Sequence, residues 1–146
     1  MEINLIMDTN NTEIIIFEIK KYSKSDTIII YDGDCPVCNN ITLLSKIDKT
    51  SNSVDLLNAR EVIPLVETLR NEFNININEG MAVVHNNDFY FAGEALHFLG
   101  IHSSKKYFFS NLINIIYKNK FISIKLYPLF KFFRSILLKL LRRKPL

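Results

Sequence analysis

Cysteine is scarce in this chain, two among 146 residues, and tryptophan is absent. So small a supply excludes the secreted scaffolds that replace a hydrophobic core with a disulfide framework. Glycine and proline, four of each, are too few for collagen-like repeats or a linker-dominated architecture. The N-terminal run Met1 to Asp8 has no basic segment leading into an apolar stretch and a small-residue cleavage site, so it does not read as a signal peptide and a cytoplasmic location is expected. Long apolar runs are missing as well. The longest uncharged stretch of the tail, Tyr107 to Tyr117, falls well short of the ~20 residues that span a bilayer, so no transmembrane helix is expected.

Acidic residues are missing from one end. None follows Glu94, whereas residues 95–146 carry 11 bases, and residues 1–94 carry 15 acids against 7 bases. An ordinary acidic domain followed by a basic segment predicts an anionic partner for the tail. What is abundant is apolar: a 48% hydrophobic share in a chain of this length supplies one core and excludes intrinsic disorder.

Residues 2–7 and 12–19 are Ile-rich runs separated by Asp8-Thr9-Asn10-Asn11, which predicts a β-hairpin. Thr27 to Tyr31 is a short β-branched run that reads as a buried strand ending at Asp32-Gly33-Asp34. Pro36 suits the first position of a helix, with Cys35 or Asp34 as its cap, and Ile41, Leu44 and Ile47 continue the helical spacing to about Asp48. Val54 to Ala59 predicts a second strand, and Pro64 opens a helix to about Phe73. Residues 81–85 and 89–92 flank Asn86-Asn87-Asp88 as a hairpin, and Glu94 to Leu99 is a short helix ended by Gly100.

The order β-α-β-α-β-β-α predicts an α/β fold with a mixed sheet flanked by helices. The expected organisation is an N-terminal hairpin addition (1–26), a central domain (27–104) and a basic helical extension (105–146). In that extension Leu126, Leu129, Phe130, Phe133, Leu137, Leu140 and Leu141 share one arc of a helical wheel, with Lys125, Lys131, Lys139, Arg142 and Arg143 broadly opposite.

Cys35-Pro36-Val37-Cys38 brings the only two cysteines together. Random placement would give that spacing in about one pair in seventy, so the spacing asks for a mechanism. Three residues apart on a first helical turn, the sulfurs can reach bonding distance, and Cys35 stands at the free N–H groups and positive dipole end. That position favours an exposed Cys35 thiolate as nucleophile, with Cys38 deeper in the helix as the resolving thiol. Two other readings stay open: half of a zinc site completed by His85, His97 or His102, and two inert buried thiols. No spacing among the three histidines names a site, and structural roles are expected for them.

Tyr31-Asp32-Gly33-Asp34-Cys35-Pro36-Val37-Cys38-Asn39 resembles the signature of the DCC family of thiol-disulfide oxidoreductases, whose motif is Y-D-G-x-C-x-x-C. The similarity extends over about residues 27–100, more weakly through Gly93-Glu94-Ala95, and only loosely into the tail through Tyr127 and Arg134; residues 1–26 match nothing in it. The resemblance implies a thioredoxin-like fold and Asp32, Cys35 and Cys38 as the functional trio. Thioredoxin-like enzymes place a cis-proline opposite the dithiol, where this chain has Gly80-Met81-Ala82, so the resemblance implies a substrate-docking surface unlike that of thioredoxin.

Asp32 has two readings. A carboxylate three residues before a thiolate raises the thiol's pKa by repulsion, yet if held near Cys38 it could accept that thiol's proton. Alternatively, Asp32 and Asp34 are turn formers that bond backbone N–H groups.

The sequence thus predicts a cytoplasmic thiol-disulfide oxidoreductase that uses no bound cofactor or metal and acts on a protein or small-molecule disulfide or dithiol. The alternative is a thioredoxin-like adaptor that only displays its basic tail. Residues 105–146 are expected to contact an anionic membrane, at its inner face, or to pack on the core. Nucleic acid is not favoured, because the aromatic residues share an arc with leucines and are not interleaved with bases.

Overall fold

Four consecutive β-branched residues make Thr27–Tyr31 a strand, β1, at the centre of a mixed sheet. The computed structural model describes residues 9–39, 54–102, 119–144 and 146. In it the elements run α1 (Thr9–Lys20), β1, β2 (Val54–Asn58), α2 (Ile63–Phe73), β3 (Ala82–His85), β4 (Asp88–Phe91), α3 (Gly93–His102) and α4 (Lys120–Leu140), with a further helical start at residues 36–39. The strand order is β2-β1-β3-β4. β1 pairs with β2 in parallel, Ile29 beside Leu56, and with β3 antiparallel, Ile29 beside Val83; β4 returns along β3. This is the α/β arrangement expected, a four-stranded mixed sheet flanked by helices, consistent with a thioredoxin-like fold.

The strand period of two sorts the core into two layers. Ile28, Ile30, Ala82 and Val84 face α1 and α2, whose Ile15, Ile16, Ile19, Leu65, Val66 and Leu69 cover them. Ile29 and Val83 face the other way, where Met81, Cys35, Cys38 and the α3 residues Ala95, Leu96, Phe98 and Leu99 close over them. α4 adds Tyr127, Phe130 and Leu138 to this second layer. The dithiol therefore sits between the sheet and the two C-terminal helices.

Three expectations need correction. Residues 9–20 form α1, a helix in place of the second strand of the expected hairpin; residues 1–8 lie outside the described residues. The β-branched propensity of the Ile run is overridden because Ile15, Ile16 and Ile19 fall on one helical face that covers Ile28 and Ile30, whereas a strand would send Ile15 and Ile16 to opposite sides. Gly100 does not end α3, which continues to His102; the glycine is buried inside the helix. The apolar arc of α4 is divided: Leu126, Phe130 and Leu137 are half-buried, but Leu129, Phe133, Leu140 and Leu141 are exposed.

The other elements agree with expectation to within a residue or two, including the Pro36 helical start and the Pro64 helix. The β3–β4 loop is the two-residue turn Asn86-Asn87, with Asn86 in the left-handed region at φ 55°, and Asp88 already belongs to β4. The continuation of the Pro36 helix to about Asp48 and residues 105–118 of the basic extension lie outside the described residues. Among the described residues no helix is long and apolar enough to cross a membrane.

Candidate dithiol site

At the end of β1 the chain turns through Asp32-Gly33-Asp34 into the helical residues that begin at Pro36. Asp32 organises this turn from both ends. Its carboxylate Oδ1 accepts the Asp34 N–H at 3.0 Å and its carbonyl accepts the Cys35 N–H at 3.1 Å. Asn58, at the end of β2, accepts the Gly33 N–H at 3.0 Å, and Asn39 donates back to the Gly33 carbonyl at 2.6 Å. A Cβ on Gly33 would fall 2.6 Å from the Asn58 amide, so any side chain there would push that amide off the Gly33 N–H.

The two cysteines approach to 3.1 Å as free thiols. Both are buried, Cys35 at 0% and Cys38 at 2% exposure, which corrects the expectation of an exposed nucleophile. Helix position alone leaves a first cysteine open; here Cys35 is enclosed in the layer that Met81, Leu96, Tyr127 and Phe130 help to form. Met81, just before β3, is buried against the pair in this layer. Beside it, a Cβ on Gly80 would meet the Tyr127 hydroxyl and lie 2.9 Å from the Ala92 Cα, so α4 approaches this segment closely.

The two thiols are driven apart in acidity. Hydrogen bonding from Cys38 is the largest influence on Cys35 and, against the cost of burial and with the help of the Arg134 charge, lowers its pKa to about 6. Cys38 is pushed up, because it is the donor in that hydrogen bond and is itself buried. The favoured microstate is a Cys35 thiolate beside a protonated Cys38. This polarity has the sense expected from the helix position: after the Cys38 thiol, the Cys38 backbone N–H of the first turn lowers Cys35 most, and the Arg134 charge follows.

Arg134 and Arg60 were not singled out as site residues from the sequence. Arg134, on α4, is 4% exposed and donates from Nη2 to Asp32 Oδ2 at 3.1 Å and from Nη1 to the Asn78 carbonyl. Arg60, just beyond β2, donates from Nε to Asp32 Oδ1 at 2.8 Å and bonds Asp34 at 3.2 Å. Burial alone would push the Asp32 carboxyl up, but the hydrogen bonds from Arg60 and Asp34 and the two guanidinium charges hold it below its ordinary value. For Arg134, burial works against the charge, but Cys38, Cys35 and Asp32 outweigh it and raise its pKa.

Asp32 is therefore an anion that seats two arginines, with both carboxylate oxygens already engaged. The signal for Arg134 was present: it is a base four residues from both Phe130 and Leu138, on the packed side of α4. Arg60 carried no such signal.

Asp34 bonds Arg60 and lies 3.7 Å from Arg143, so the tail meets the motif's acids at two points. The histidines lie elsewhere. His85 bonds Thr27 Oγ1 at 2.8 Å and lies tilted at 45° against the Phe98 ring, which stacks on His102 at 4.1 Å. Among the described residues no three His, Cys, Asp or Glu side chains come together as a metal-binding set.

Compared with protein-family models, with curated proteins and with solved structures, the chain finds no match in any of the three.

Proposed function

We propose that this protein is a thiol-disulfide oxidoreductase with Cys35 as nucleophile and Cys38 as resolving thiol. The observation that carries the reading is the 3.1 Å pair with opposed acidities, a thiolate favoured at Cys35 and a proton retained at Cys38. The resemblance of residues 31–39 to the DCC signature supports it, as does the placing of the pair at a strand-to-helix turn.

In the forward direction the Cys35 thiolate attacks one sulfur of a substrate disulfide; an S–S bond forms, the substrate S–S bond breaks, and the leaving thiolate takes a proton. Cys38 then loses its proton and attacks the Cys35 sulfur, which releases the second substrate thiol and leaves a Cys35–Cys38 disulfide. Two electrons and two protons have passed to the substrate, and a dithiol donor restores the pair. Every step is reversible, so the same residues serve as an oxidase when the disulfide form meets a dithiol. Arg134, paired with Asp32, lowers the Cys35 pKa at the outset. We place this activity in the cytoplasm.

The complete burial of Cys35 favours a second reading, an adaptor whose thiols are inert. Equilibration of the full chain against glutathione or dithiothreitol buffers separates the two. A reversible Cys35–Cys38 couple within about −120 to −270 mV, the range of known exchangers, is expected for the oxidoreductase. In parallel, Cys38→Ser should retain a mixed disulfide at Cys35 with a model disulfide. A pair that forms no intramolecular disulfide, in a protein whose Cys38→Ser variant captures nothing, is the adaptor.

A further inference from the structure

Opposite faces of α4 have different neighbours. One side carries Tyr127, Phe130, Arg134 and Leu138 into the dithiol layer. The other carries Ile122, Leu129, Phe132, Phe133, Ile136 and Leu140 at helical spacing, and all six are exposed, Phe133 at 61% and Leu140 at 75%. A continuous apolar stripe of this size is not what a helix leaves to water when its only duty is to pack on one core.

The surrounding charges indicate what covers it. α4 contains no acid, and none follows Glu94 anywhere in the chain. On the helical wheel Lys139 borders the stripe and Lys125 falls within its arc, and Arg142 and Lys144 follow it. Lys120 and Lys131 are held at the surface by Glu94 and Glu79 in exposed pairs at 3.2 and 3.3 Å, which bind them weakly. A second copy docked isologously on this face would set lysine against lysine with no carboxylate on α4 to compensate. A stacking platform for nucleic acid would interleave aromatics with bases, whereas four of the six stripe residues are aliphatic.

We infer that the outer face of α4 lies in the interface of an anionic phospholipid membrane, its Phe, Leu and Ile side chains at the boundary between headgroups and acyl chains and its lysines extended to the headgroups. A helix of 21 residues lying flat offers about 30 Å of contact. Because the opposite face holds Arg134 against Asp32, the dithiol would be carried next to the bilayer surface. The inference stands on the stripe and the charges and is independent of the redox reading.

The test is cosedimentation of the full-length reduced protein with large vesicles of phosphatidylcholine alone or mixed with phosphatidylglycerol. Binding to the anionic vesicles at low salt, little to the neutral ones, and release as salt rises above physiological strength are expected. Each base removed should lower partitioning about fivefold, so Lys125→Gln, Lys139→Gln and Arg142→Gln together should lower it about a hundredfold. Leu129→Ser with Phe133→Ser should abolish binding while leaving the melting temperature and Cys35 alkylation unchanged, since neither residue touches the core. Cys35→Ser should bind as the natural chain does, which separates this outcome from any failure of the redox chemistry. Absence of binding to anionic vesicles at low salt overturns the inference. So does a dimer in sedimentation equilibrium that the two serine substitutions dissolve, which would give the face to a second copy.

Discussion

At the scale of single residues, the site depends on one buried cation held between two kinds of anion. Arg134 touches Asp32 and favours the Cys35 thiolate, so Arg134→Ala should act on both. The pH midpoint for alkylation of Cys35 should move up from about 6, and the variant should lose about 1.5–3 kcal/mol of stability, because Asp32 keeps Arg60 but loses its buried second partner. Arg134→Lys should keep part of the charge effect but cannot reproduce two bonds from one planar fork. Labelling followed against pH, with denaturant melts as control, reads both; an unchanged labelling midpoint would remove Arg134 from the chemistry.

Asp32→Asn tests the two readings of that residue. Its folded pKa lies below the ordinary 3.8, so the carboxylate contributes stability that is present above 3.8 and lost as pH falls through the lower folded value. The Asn variant should be less stable at neutral pH and should show a flatter acid-unfolding curve below about pH 4. If Asp32 serves to seat the arginines, formation and release of a mixed disulfide in the folded variant should slow together. Selective slowing of release would instead make it the base for Cys38.

Cys35 has its own linkage. A thiol lowered from 9.0 to about 6 is protonated in the unfolded chain and ionised in the folded one between those values, so the stability of the reduced protein should rise with pH from about 6 to 9. Cys38, shifted the other way, keeps its contribution below 9 and loses it above. Cys35→Ser should remove the rise, as thermal melts across that range can show.

At the scale of the elements, α4 is a helix with two apolar faces, and substitutions should divide accordingly. Phe130 packs on the dithiol layer, and Phe130→Ala should cost about 2 kcal/mol, below the full value for a completely buried phenylalanine because Phe130 is only half-buried. Phe132→Ala, on the outer face at 60% exposure, should change stability by less than about 0.5 kcal/mol. Urea midpoints on the two variants check the division. α1 shows the same physics from the other side: three isoleucines on one helical face are enough to cover a sheet that their β-branched character alone would have made them join.

At the scale of the whole molecule, the C-terminal segment closes on the domain's first half. Arg60 donates to the Lys144 carbonyl at 2.8 Å, and Arg70 and Asn78 donate to the Leu146 oxygen at 2.9 and 2.7 Å. These bonds tie the segment to the domain, and a chain ended at Asn119 should lose its folded circular-dichroism signal together with selective Cys35 labelling. Retention of a cooperative melt by that shortened chain would show α4 to be an appendage.

What the sequence determined by itself is what short range can encode. The Cys35-Pro36-Val37-Cys38 spacing, the strand before it, the Pro36 and Pro64 helix starts, the Asn86 turn and the acid-free tail all depend on residues a few positions apart, where propensity and periodicity act directly. From these the fold class and the two cysteines were legible. Tertiary structure alone decided the rest. It chose helix over strand for residues 12–19, buried Cys35, and selected which arc of α4 faces inward. It also drew Arg60 and Arg134 to one carboxylate across 28 and 102 positions of chain. The physical reason is that burial and ion pairing are set by which surfaces meet. An Ile run or a lone arginine in a leucine-rich helix is compatible with several partners until the sheet face and the Asp32 turn are in place to receive it.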